Sequence, residues 1–65
     1  MKWQRYGNVW RADLDASHFE IARQAGHYYL TERLGLFADP VGLGEYLTLA
    51  AAKTAAMNVH PEARS

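Results

Sequence analysis

The run at positions 15–18 sets Asp15, Ser17 and His18 almost side by side, and these are the residue types of a nucleophile, its base and an orienting acid. In that chemistry the imidazole takes the hydroxyl proton while the carboxylate fixes the imidazole, so the three groups must converge in space. Neighbours in one tight connection do not reach that geometry. His18, His27 and His60 are the three imidazoles of the chain, and with a carboxylate such as Glu20 or Glu32 they are parts of a divalent-metal site. Without cysteine the donor set is incomplete, and a structural or solvated role is expected for each histidine. Gly35, Gly42 and Gly44 are scattered and lack the Lys-Ser or Lys-Thr of a phosphate loop. They read as turn and strand-distortion residues. A domain this small also keeps little volume for a cleft once its core is filled. The expectation is a non-enzymatic protein with no catalytic residue, no metal, no cofactor and no small-molecule substrate.

A second grouping interleaves aromatic with basic residues: Trp3, Arg5, Tyr6, Trp10 and Arg11. That is the composition of a nucleic-acid surface. Seven basic and seven acidic residues leave no formal net charge, however, and phosphate binding draws most of its affinity from excess positive charge. The tryptophans are therefore expected in the core, with the arginines flanking them. Charge is uneven along the chain. Lys2, Arg5 and Arg11 meet no acid in the first eleven residues. Between residues 12 and 45, six acids (Asp13, Asp15, Glu20, Glu32, Asp39 and Glu45) stand against Arg23 and Arg33. An electrostatic partner would meet a basic end and an acidic middle.

The elements that position these groups follow from periodicity. Residues 9–14, 18–23 and 27–34 alternate polar with apolar, the pattern of half-buried strands. Trp10, Ala12 and Leu14 share the inner face of the first, Phe19 and Ile21 that of the second, and Tyr28, Leu30 and Leu34 that of the third. Arg11 with Asp13, His18 with Glu20, and His27 with Tyr29, Thr31 and Arg33 fall on the outer face. Gly7-Asn8, residues 15–17 and Gln24-Ala25-Gly26 supply turns, and connections this short favour an antiparallel meander. Asp39-Pro40-Val41-Gly42 is a further turn signal. It lies in an apolar loop at 35–42 whose return strand would be 43–47. Two pairings stay open at this point: whether 43–47 joins the third strand or the first, and whether the first residues form a strand. Thr48 is a plausible N-cap, and Leu49, Ala52, Ala56 and Val59 form the narrow apolar stripe of a helix that Pro61 ends near His60. The expected fold is α+β: a two-layer, antiparallel three- to four-stranded meander followed by one C-terminal helix, forming a single domain over 1–60 with a disordered tail at 61–65. With 65 residues and no cysteine, stability must come from packing, and a dimer that extends the core is expected. No apolar run reaches membrane-spanning length and no signal-peptide layout is present, so a cytoplasmic protein without a membrane partner is expected.

With these residues placed, the chain resembles a group of small proteins from actinobacterial phages and prophages. Their layout is a tryptophan near the start, then aromatic-x-Ala, aromatic-x-Ile and aromatic-x-Leu strands, a Leu-Gly-x-aromatic segment and a Leu-x-x-Ala-Lys-x-x-Ala helix. The matching residues are Trp3, Trp10-Arg11-Ala12, Phe19-Glu20-Ile21, Tyr28-Tyr29-Leu30, Leu43-Gly44-Glu45-Tyr46 and the stretch 49–56. The resemblance covers most of the chain and implies a phage or prophage origin. It describes a core and assigns no functional residue.

One helix cannot cover both faces of a sheet. Arg11, His18, Glu20, Tyr29, Thr31 and Arg33 would then form an open face, and with Leu36, Phe37 and Val41 of the loop they make the candidate docking surface. Tyrosine and arginine are enriched at interfaces because they give contact area with little entropy lost. The first expectation is a protein-interaction module that binds a host or phage protein and inhibits it, as very small phage proteins often do to host defence systems, CRISPR included. The alternative is a sheet-based DNA-binding module, since three strands followed by a helix resemble integrase arm-binding and plant DNA-binding domains; Arg5, Arg11, Arg23 and Arg33 would contact phosphates or bases. A third reading is a structural homodimer in a phage assembly, joined by an edge strand or by the alanine-rich helix.

Overall fold

Every strand connection is short, so alternation along the chain becomes one continuous antiparallel sheet. The computed structural model of the protein describes residues 2–14, 17–35 and 38–59. Its elements are β1 (Gln4–Tyr6), β2 (Val9–Leu14), β3 (Ser17–Gln24), β4 (His27–Leu34), β5 (Val41–Tyr46) and α1 (Leu49–Val59). The five strands lie side by side in sequence order, and α1 packs across β3, β4 and β5. The architecture is therefore α+β, one open sheet with a single helix on one face. Both open pairings are settled: the first residues add an edge strand to β2, and β5 pairs with β4.

The hairpins owe their tightness to positive-φ residues. Gly7 (φ 64) opens the β1–β2 turn, and Ala25 (φ 50) with Gly26 (φ 80) closes β3 onto β4. Two successive positive φ values are the type I′ pattern, which matches strand twist and prefers asparagine before glycine. Alanine is a poor occupant of the first position, because its Cβ crowds the backbone there. Ala25→Asn is expected to stabilise the protein by roughly 1 kcal/mol and raise its melting temperature by about 4–8 °C, read from thermal unfolding. An unchanged or lower midpoint would contradict the turn geometry.

The core sits between sheet and helix. Phe19, Ile21 and Leu30 are its largest fully buried side chains, and Trp10, Ala52 and Ala56 complete the buried cluster. Trp10 meets Tyr28 ring to ring at 5.8 Å in a tilted arrangement, and the Arg5 guanidinium lies 5.3 Å from the Trp10 ring centroid. Alanines at 52 and 56 let the helix backbone come close to the strands. Thr48 caps the helix: its hydroxyl oxygen accepts from the Ala51 amide at 3.1 Å and its carbonyl from Ala52 at 3.2 Å.

Two expectations are corrected. Leu34, read as inward-facing, is 61% exposed and stands outside the cluster that meets α1. The inner position between it and Leu30 belongs to Glu32, which is buried opposite Phe19 and Val41. Val41 and Gly42 are strand rather than turn, since β5 starts immediately after Pro40. The register between β4 and β5 then shifts at Leu30/Thr31, where Leu43 is the extra residue of a bulge and packs on the core. Asp15, His60 and the tail at 61–65 lie outside the described residues, as do Leu36 and Phe37.

Candidate functional site

The face of the sheet turned away from α1 is ordered in rungs by strand register. Gln4, Arg11, Glu20 and Thr31 stand across from one another on β1 to β4, and Asp13, His18 and Arg33 form the next rung. Val9, Ala22, Tyr29 and Glu45 form another toward the opposite end, with Tyr6 beside Val9. Arg11, His18, Glu20, Tyr29, Thr31 and Arg33 are thus brought onto one face, as their alternation predicts. Val41 is not with them: it pairs with Glu32 on the helix side, half-exposed at the edge. Leu36 and Phe37 lie outside the described residues. Lys2, Gln4 and Tyr6 join this surface without a sequence signal, because three residues of β1 are too few to show a period.

Antiparallel pairing sets acids beside bases that are far apart in sequence. Arg11 Nε donates to Glu20 Oε2 at 3.0 Å across β2 and β3, and the Arg11 guanidinium sits 5.6 Å from the Tyr6 ring centroid. Tyr6 in turn donates its hydroxyl to Gln4 Oε1 at 2.6 Å. His18 Nδ1 lies 2.6 Å from Asp13 Oδ1, which favours the ring form carrying its proton on Nδ1 and leaves Nε2 outward of that contact. Thr31 donates to the Glu20 carbonyl at 3.4 Å. At the other end Glu45 accepts from the Tyr29 hydroxyl, and this bond, with burial and the charge of Glu45 adding to it, holds the Tyr29 phenol above its usual range. His27 Nε2 lies 3.8 Å from Glu45 Oε1. The basic end and acidic middle of the sequence therefore do not persist as separate territories; the meander interleaves them.

Between Tyr6, Arg11, His18, Thr31 and Arg33 the face is hollowed into an open depression of about 750 Å³. Among the described residues, the groups read as catalytic or metal-binding are not brought together there. Ser17 is buried on the helix side while His18 faces the depression, because adjacent strand residues point to opposite faces. His18 pairs with Arg33 and His27 with Gln24, which places the two histidines at opposite ends of the hairpin, about 20 Å apart along the strand. Glu20 and Glu32 are on opposite faces for the same reason. Among the described residues no group of three or more His, Cys, Asp or Glu is placed to hold a metal ion, and no helix is long and apolar enough to cross a membrane.

Fold and face together define a two-layer α+β domain with α1 on one sheet surface and no described element on the other. Comparison with known protein families, with curated proteins and with solved structures returns no match.

Proposed function

We propose that the chain is a non-catalytic protein-interaction module, of phage or prophage origin, which docks through the uncovered face of its sheet and inhibits a host protein by occupying it. The observation that carries the docking reading is that Arg11, His18, Glu20, Tyr29, Thr31 and Arg33 share a sheet face that no described helix covers, and that all of them but Tyr29 line a 750 Å³ depression in it. Steric inhibition asks for shape, aromatic contact area and oriented polar groups, and needs no reacting side chain. The origin rests on the core pattern shared with small phage and prophage proteins, and a host-cytoplasm setting follows from it.

A nucleic-acid face is the competing reading, and the placement of the arginines weighs against it. Arg11 and Arg33 are on the open face, whereas Arg5 and Arg23 take the helix-side positions of their strands, paired with Trp10 and Tyr28. The open face also carries Asp13, Glu20 and Glu45, which would repel a phosphate backbone along most of its length. A homodimer through an edge strand remains compatible with the docking reading, since the open face would stay free.

Affinity capture of the tagged protein from host lysate, with and without nuclease, tests the proposal. One host protein retained after nuclease treatment is the expected result. Tyr29→Ala with Arg33→Glu is expected to weaken that capture by at least about tenfold, one well-placed interface anchor being worth more than 1 kcal/mol. Both side chains lie outside the core, so the melting midpoint should stay within a few degrees of the parent. Undiminished capture by the folded double variant, or retention lost to nuclease, would sink the reading.

A further inference from the structure

The charges around the depression are not equivalent. Its two acids are already engaged, Glu20 by the Arg11 guanidinium at 3.0 Å and Asp13 by the His18 ring at 2.6 Å. Two of its cations, Lys2 and Arg33, form no ion pair among the described residues. Arg33 stands directly across the strands from His18. Cross-strand neighbours hold their Cβ atoms about 5 Å apart, close enough for both side chains to reach one small group. The Asp13 contact pins His18 through Nδ1, so Nε2 is the ring nitrogen left to meet a ligand. An arginine fork beside a pre-oriented imidazole is a donor pair matched to a carboxylate.

Resting on the interaction reading above, we propose that the Arg33–His18 corner of the depression recognises a carboxylate side chain, aspartate or glutamate, on the partner protein. Arg33 supplies the charge and two parallel N–H donors. His18, oriented by Asp13, supplies a third N–H donor from Nε2 when its ring carries both protons. Lys2 at the rim adds long-range attraction. Arg11, held by Glu20 and stacked on Tyr6, is a wall of the site and not a ligand for the anion. A protein carboxylate fits better than a phosphate chain because it is a single charge. Repeated charges would run from this corner onto Glu20 and Glu45.

The test uses two blocked pentapeptides, acetyl-Thr-Val-Glu-Val-Thr-amide and its glutamine counterpart, titrated into the isotopically labelled protein. Backbone amide and arginine Nε–H resonances are followed. The glutamate peptide is expected to shift the Arg33 Nε–H and the amides of His18 and Thr31, and to bind about fivefold tighter than the glutamine peptide, the scale of one exposed ion pair. Arg33→Gln should erase that preference, His18→Gln should reduce it, and Arg11→Gln should leave it in place. Amide dispersion verifies that each variant is folded. Equal binding of the two peptides, or a preference that survives Arg33→Gln, overturns the carboxylate site. If the peptides still bind the open face equally, the docking reading stands without it. A 12-base-pair duplex that shifts the same resonances more strongly and loses its effect steeply with salt overturns both in favour of phosphate recognition.

Discussion

Replacing Phe19 by alanine is expected to leave the chain unfolded at room temperature. Phe19 is 1% exposed in the middle of β3, between Ala12 and Glu32 on the neighbouring strands. Removing a buried phenyl ring costs roughly 3–5 kcal/mol, part in lost burial and part in the cavity left behind. A domain of this length has a total stability of roughly 3–10 kcal/mol, so the loss approaches the whole. Nothing covalent offsets it, since the chain has no cysteine. Loss of dispersed amide resonances and of the cooperative melt would register the effect. A variant that still melts cooperatively within about 1.5 kcal/mol of the parent would show that Phe19 is not the centre of the core. The consequence reaches the candidate site directly. His18 and Glu20 flank Phe19 on the same strand, so ring burial on one face and side-chain placement on the other are one structural event. Partner capture should vanish with the fold.

How much of this was legible in the sequence depends on how many residues each signal had to work with. β2, β3 and β4 run six to eight residues and alternate against a buried face, so their period and their outward residues could be read without a structure. That is why Arg11, His18, Glu20, Tyr29, Thr31 and Arg33 were placed together. β1 has three residues, all exposed, and carries no such period. β5 has two glycines and a bulge at Leu43, which turns Leu43 and Tyr46 to the core despite their odd spacing. A strict period of two misreads such a strand. Glu32 and Leu34 both follow Leu30 on the helix-side face of β4, and burial, which alternation alone does not give, separates them: Glu32 is buried and Leu34 is exposed. The pairings Arg11–Glu20 and Asp13–His18 needed the register, which a two-residue hairpin fixes and composition does not. The depression was not legible, because its lining comes from residues as far apart as Lys2 and Pro40, which only the register brings together.

Enlarging the contact between helix and sheet separates the two halves of the molecule. Ala56 is fully buried where α1 lies on the strands, and Ala56→Leu adds three carbons with no space to receive them. Overpacking of this kind costs about 1–3 kcal/mol. The strain has an exit that Phe19→Ala lacks. α1 packs on β3 to β5 from one side and is followed by no further described element, so it can tilt outward while the sheet keeps its ladder. Hydrogen exchange should therefore show amides of α1 losing protection while those of β3 and β4 retain theirs. Ala51→Leu is the control. Ala51 is exposed on the same helix, and leucine is almost as good a helix former, so its effect should stay within about 0.5 kcal/mol. Because the depression opens on the opposite side of the sheet, Ala56→Leu should keep partner capture as long as β2 to β4 hold their order. Equal loss of protection in helix and sheet would mean that the domain has a single cooperative unit. Lost capture with a protected sheet would place the helix itself in the interface and move the docking surface to the other side of the molecule.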